Sequence, residues 1–208
     1  MANETADRIL DCAEALMTER GFSGFSYADI SDEVKVTKAS IHFHFATKAL
    51  LVQRVLARYR ERTRQGLQQL SQAPGAMARL QAYVGYWENC IRAKAPSFCV
   101  CALLAAEIPT LPDEVSVEVR GHFNDLWAWL KATLEAGKAS GEVQLAQDAA
   151  AEAQLLLASV HGAMLAARAG AGAGVFASVA GGALARLELA RQRPAPRGAA
   201  AKKAPRRR

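Results

Sequence analysis

The chain has 208 residues, 51% hydrophobic and 22% charged, which is enough apolar material for a sizeable core and excludes a disordered chain. The net charge is +6, but eight of the 26 basic residues and none of the 20 acidic ones lie from Arg191 onward. The first 190 residues therefore carry 18 basic against 20 acidic groups, so overall basicity is no argument that the folded part attracts nucleic acid.

In chain order almost every periodic segment reads as helix. Ile9, Leu10, Ala13, Leu16 and Met17 follow helical spacing, and Gly21 marks an end. Ser26 with Asp29 resembles a capping box and opens a short helix containing Ile30 and Val34. Thr37 caps another short helix through His44, and Thr47 a long one through about Leu70. Pro74, Pro96 and Pro112 sit near helix starts and frame helices near 75–94, 97–108 and 113–137. Gly141 and Asp148 mark the next loop and cap. Two Ala-rich helices follow, near 149–168 and 174–192, with a Gly-rich joint at Gly170–Gly174. The apolar stretch Ala149–Leu165 holds Glu152, Gln154 and His161, so a buried helix is expected there and no membrane association. From Pro194 the chain is Pro, Ala, Lys and Arg without an apolar anchor, and disorder is expected. There is no strand alternation, so the fold class is all-α.

Two short helices joined by a tight turn, behind a longer supporting helix, can place the second helix in the major groove. Within Val36–Lys48, Ile41 and Phe45 can pack inward, which leaves Lys38, Ala39, Ser40 and His42 outward. Small Ala39 and Ser40 allow close approach. Thr37 and Ser40 can donate to phosphates or base edges, and His42 can reach either. Lys48 opens the next helix, where its charge and free N–H groups suit a phosphate. Against this, residues 1–50 hold five basic and eight acidic groups. Arg54, Arg58, Arg60, Arg62 and Arg64 read either as a solvated helix face or as DNA contacts.

Across about Thr5–Leu56 the sequence resembles the TetR family of one-component regulators, whose signature runs Gly-Val-Ser-Lys-Gly-Thr-Leu-Tyr-Tyr-His-Phe-x-x-Lys. The resemblance implies DNA contacts at Thr37, Lys38, Ala39, Ser40, His42, Phe43 and Lys48, and Ser26 and Lys35 join the DNA-binding set. Lys35 stands where the family has Gly, in a left-handed position that costs a Lys ~1 kcal/mol, or it faces a phosphate. His42 and Phe43 stand for the two usual tyrosines. The expected division is 1–47 as the helix-turn-helix, 48–192 as a helical effector-binding and dimerisation domain, and 193–208 as a basic tail.

For the effector, Tyr83, Trp87, Cys90, Phe123, Trp127, His161 and Met164 would supply an apolar, polarizable cavity with polar tips. Ser97–Cys101 puts two thiols at a helix start, where free N–H groups lower a thiol pKa. Cys99 and Glu107 therefore join the ligand set. The segment resembles a Gly-Cys-Leu…Glu pattern in one subgroup of the family, some members of which respond to electrophiles or small carboxylates. Here Phe98 replaces the Gly. The effector is expected to be apolar, electrophilic or a small organic acid. The last two helices, with Gly181 and Gly182, suit a four-helix homodimer interface. Cys12, Cys90, Cys99 and Cys101 lack disulfide spacing, which fits a cytoplasmic protein. Neither Cys-x-Cys nor His42-x-His44 has usual zinc spacing, so no metal or cofactor is expected. Two other readings stay open: an architectural DNA-binding protein led by its tail, and a helical enzyme using Cys99 as nucleophile.

Overall fold

Ile9, Ala13, Leu16 and Met17 are the apolar residues that α1 (Ala2–Arg20) buries, one helical face at i, i+4, i+7 and i+8. The computed structural model describes residues 2–93 and 98–188; the expected tail at 193–208 lies outside them, and the helix expected over 174–192 stops at Ala185, where the chain turns to pair Glu188 with Val143. Among the described residues there is no strand, only a single antiparallel bridge between Val143 and Glu188. The architecture is all-α, as the periodicity implies.

Local chemistry sets the next three helices. Ser26 begins α2 (Tyr27–Val34) with a reciprocal cap: its hydroxyl accepts from the Ala28 N–H, while Asp29 accepts from the Ser26 N–H at 2.7 Å. Lys35 ends it in the left-handed region (φ 60°, ψ 45°), its N–H bonding the Ser31 carbonyl. Thr37 caps α3 (Lys38–His44) by accepting from the Ser40 N–H at 3.1 Å. Thr47 caps α4 (Lys48–Leu70) the same way at Leu50. That helix packs on α1 with one face and on α7 (Asp113–Ser140) with another, so it belongs to both halves of the molecule.

Four of the five arginines on α4 are ion-paired, and Arg54 is exposed. Arg58 and Arg62 reach Asp11 (2.7 Å) and Glu14 (2.5 Å) on α1. Arg60 holds Asp125 at 2.6 Å and Glu118 at 3.4 Å on α7, and Arg64 shares Asp125 at 2.9 Å. These bonds keep the Asp125 carboxyl below its ordinary range, the Arg60 hydrogen bond being the main cause.

The remaining elements are α5 (Ala76–Arg92), α6 (Val100–Ala105), a 3-10 turn at Ile108–Thr110, α7 (Asp113–Ser140), α8 (Ala149–Ala166) and α9 (Gly172–Ala185). Two differ from expectation. α6 starts at Val100, not 97, because Cys99 takes an extended conformation (φ −67°, ψ 112°) as the residue before the helix. The joint from Ala167 to Ala171 is a wide helical turn that breaks at Gly170 (φ 104°), and α9 already starts at Gly172. α8 with its extension, Ala149–Gly170, is long and apolar enough to cross a membrane by length and composition. Its Ala153, Leu156, Leu157, Val160 and Met164 nevertheless lie in the core, against α7 and α9. Buried Glu152 accepts from the Ala146 and Gln147 N–H groups and from Arg186, tying the α7–α8 loop to the end of α9.

Gly137 is where α7 meets α5. A Cβ there would stand 2.5 Å from the Ala76 Cβ and 3.0 Å from Val143. Gly137→Ala gains about 1 kcal/mol of helix propensity but forces the helices apart, at about 1–3 kcal/mol. The expected net is a melting temperature lower by about 2–6 °C; a thermal scan showing a rise would mean the contact relaxes freely.

Candidate functional site

The first site is the outward face of α3. Lys38, Ala39, His42 and Phe43 are exposed, Ser40 is half-buried and Ile41 is fully buried beneath them. The helix is held from both ends. Tyr27 donates to the Phe45 carbonyl at 2.8 Å and lies edge-on to the His42 ring. Partial burial pushes the Tyr27 hydroxyl up to about 12, so it remains a donor at neutral pH. Ser31 donates to the Val36 carbonyl at 2.6 Å, and Arg8 reaches from α1 to the Val34 carbonyl at 2.6 Å, fixing the turn. Thr37, Lys38, Ala39, Ser40, His42 and Phe43 thus come together on one short helix and its cap. Ser26 is engaged in its cap and Lys35 is exposed in the turn.

Lys48 has a different environment. It is half-buried, its ammonium donating to the Phe25 carbonyl and lying over the Phe25 and Phe22 rings at 4.2 and 4.7 Å. Burial lowers its pKa, and the charge of Glu107 works against that. Its side chain clamps the α1–α2 loop.

The second site is a cavity of about 520 Å³ among α1, α4, α5 and α7. Exposed Arg62, Gln69 and Tyr86 stand at its edge. Tyr59, Tyr83, Trp87, Phe98, His122 and Leu126 line its inner part. Of the residues expected from sequence, Tyr83 and Trp87 line it. Cys90, Cys99, Glu107, Phe123, Trp127, His161 and Met164 do not line it, and Trp127 is partly exposed against Phe123. Tyr59 and His122 were missed. Their signal was present: each sits at core spacing in its own helix, beside Val55 and Leu56 or between Val119 and Leu126.

Behind the cavity, the fully buried Cys99 Sγ lies 3.4 Å from His122 Nε2. Burial resists ionisation of Cys99. The Cys101 thiol, the charge and hydrogen bond of His122, and a hydrogen bond from His161 outweigh it and hold the Cys99 thiol well below its ordinary range. Cys101 moves the opposite way, pushed up by burial and by its bond to Cys99. His122 Nδ1, His161 Nε2, Tyr83 Oη and Trp87 Nε1 are buried without a hydrogen-bond partner. Among the described residues no group of three or more His, Cys, Asp or Glu is placed to hold a metal ion.

Two long-range contacts join the cavity half to the reading half, both at the C-terminal end of α1. Glu107 accepts from the Phe22 N–H at 3.0 Å and the Ser23 N–H at 3.4 Å. Gly21, at φ 75°, makes room for it, since a Cβ there would collide with the carboxylate. Arg168 donates to the Thr18 carbonyl at 2.9 Å and the Glu19 carbonyl at 3.0 Å. Its guanidinium lies 5.1 Å from the centre of the Phe98 ring, which also lines the cavity.

The family model described as "Bacterial regulatory proteins, tetR family" matches residues 9–55, and one described as "Tetracyclin repressor-like, C-terminal domain" matches 76–181. A solved TetR-family transcriptional regulator from Agrobacterium tumefaciens is 45% identical, covering 91% of this chain and all of that one, with a TM-score of 0.89. More distant structures share the fold. The reduced form of E. coli NemR is 22% identical over 88% and 97% of the two chains, with a TM-score of 0.77. A TetR regulator from Legionella pneumophila is 23% identical over 87% and 96%, with a TM-score of 0.78. No curated protein matches the sequence. With both halves matched in order and the helix-turn-helix in place, the chain belongs to the TetR family of DNA-binding transcriptional regulators.

Proposed function

We propose that the chain is a cytoplasmic repressor that binds palindromic operator DNA as a homodimer and releases it when a small molecule enters the cavity. Residues 1–47 read DNA, and 48–192 bind the effector and dimerise. The observation that carries the reading is the Arg168 contact at the end of α1, because through Phe98 it connects the cavity wall to the module that presents α3. The homodimer rests on the outer sides of α8 and α9. Leu155, Leu165 and Val179 are exposed there, and Gly162, Gly181 and Gly182 have open space around them. Nuclease footprinting tests the function. Protection of a discrete palindrome supports it, whereas uniform protection would make the chain an architectural protein.

The effector is apolar and small enough for the cavity, and Cys99 gives an electrophile a reaction partner. With an α,β-unsaturated aldehyde, the thiolate adds to the β-carbon, the π electrons move to oxygen, and a proton from the His122 side ends on the α-carbon. His122→Gln is expected to slow Cys99 labelling at pH 6.5, because it removes a charge and a hydrogen bond that favour the thiolate. The gap narrows as pH rises, since hydroxide then drives ionisation of the thiol in both proteins. Peptide mapping that found equal rates in both proteins at pH 6.5 would remove the electrophile from the reading and leave a reversibly bound apolar effector.

A further inference from the structure

The outward face of α3 carries two ridges. Lys38 and His42 lie one turn apart on the first, Ala39 and Phe43 on the second. The second ridge is apolar. Phe43 is 84% exposed, the largest exposure among the exposed large hydrophobic side chains of the described residues. His42, by contrast, is turned back: its Nδ1 lies 3.2 Å from the Ala46 carbonyl and its ring meets Tyr27. Phe43 is therefore an apolar side chain presented bare to whatever α3 meets.

A phenyl ring has no atom with which to bond a phosphate oxygen or the polar edge of a base. In the major groove, the apolar group that distinguishes one base from the other three is the C5-methyl of thymine. Ala39, one turn away, adds a second methyl to the same ridge and keeps the backbone close to the groove floor. We infer that the Ala39–Phe43 ridge reads a thymine methyl in each operator half-site, and that Phe43 is the specificity-determining residue at that base pair. The inference rests on the operator reading proposed above and adds the chemistry of one recognised base.

The test uses the full chain and a duplex selected from a randomised library. Each thymidine of that duplex is replaced in turn by deoxyuridine, which removes only the methyl, and affinity is read by fluorescence anisotropy at fixed salt. One position in each half-site is expected to weaken binding by about fourfold, the factor for one buried methyl, while the others change little. Phe43→Ala is expected to bind the thymidine and deoxyuridine duplexes equally. Phe43→Tyr keeps the ring and so keeps the preference. Phe43 is exposed, so both variants should melt as the parent does. A selected duplex with no deoxyuridine-sensitive position overturns the inference, as does a sensitivity undiminished in Phe43→Ala; both leave the operator reading standing. If no sequence is selected at all, the operator reading fails and takes this inference with it.

Discussion

Replacing Lys38, Ser40 and His42 together by alanine is expected to lower operator affinity by about two to three orders of magnitude, at about 1–1.5 kcal/mol for each lost polar contact. The fold should survive. Lys38 and His42 are exposed, and the cap at Thr37 uses the Ser40 backbone N–H, not its hydroxyl. Lys48→Met separates the two ways of losing binding. The Lys48 ammonium lies between two phenyl rings and a backbone carbonyl, so its loss should lower the melting temperature of the chain. The triple variant should leave that temperature within a degree or so. Anisotropy titrations alongside thermal scans decide the matter. A triple variant binding within threefold of the parent, with an unchanged melt, would take α3 out of the interface.

Arg168→Ala combined with Glu107→Gln should abolish communication between cavity and DNA. An allosteric effector typically changes the partner affinity by about 5–150-fold. In the double variant that ratio is expected to fall to about twofold, while the effector itself still binds within about threefold, because neither side chain lines the cavity. The reason is mechanical. Arg168 and Glu107 grip opposite polar ends of one short segment, the carbonyls of Thr18 and Glu19 and the N–H groups of Phe22 and Ser23. Phe98 touches both the cavity and the Arg168 guanidinium. Displacing that ring therefore shifts a contact that orients α1, and α1 holds the turn before α3 through Arg8. By linkage, operator must weaken the effector by the same factor in the parent and not in the variant. Calorimetry of effector binding with and without operator reads this directly. An unchanged ratio in the double variant would place the coupling elsewhere.

The helices and the reading face were legible in the sequence because they depend on neighbours in the chain. The caps at Ser26, Thr37, Thr47 and Asp148 each close within two or three residues, and the apolar spacing of α1 and α7 needs only helical geometry. The exposed set on α3 follows from burying Ile41 and Phe45. The left-handed Lys35 was readable only through the family resemblance, which puts Gly at that turn position.

What tertiary structure decided is what each polar side chain does with its charge. From sequence, Glu107 stood with Cys99 in a ligand set; in the fold it bonds Phe22 and Ser23, 85 and 84 positions earlier in the chain. Arg58, Arg60, Arg62 and Arg64 read as a solvated face or as DNA contacts until α1 and α7 brought Asp11, Glu14, Glu118 and Asp125 against them. The low-lying thiol of Cys99 was expected from helix N–H groups. It arises instead from Cys101, His122 and His161, the two histidines being contributed by α7 and α8. Local structure depends on backbone bonds between near neighbours, which a sequence displays. Electrostatic partnership depends on distances of a few ångströms between residues far apart in the chain, and only packing sets those.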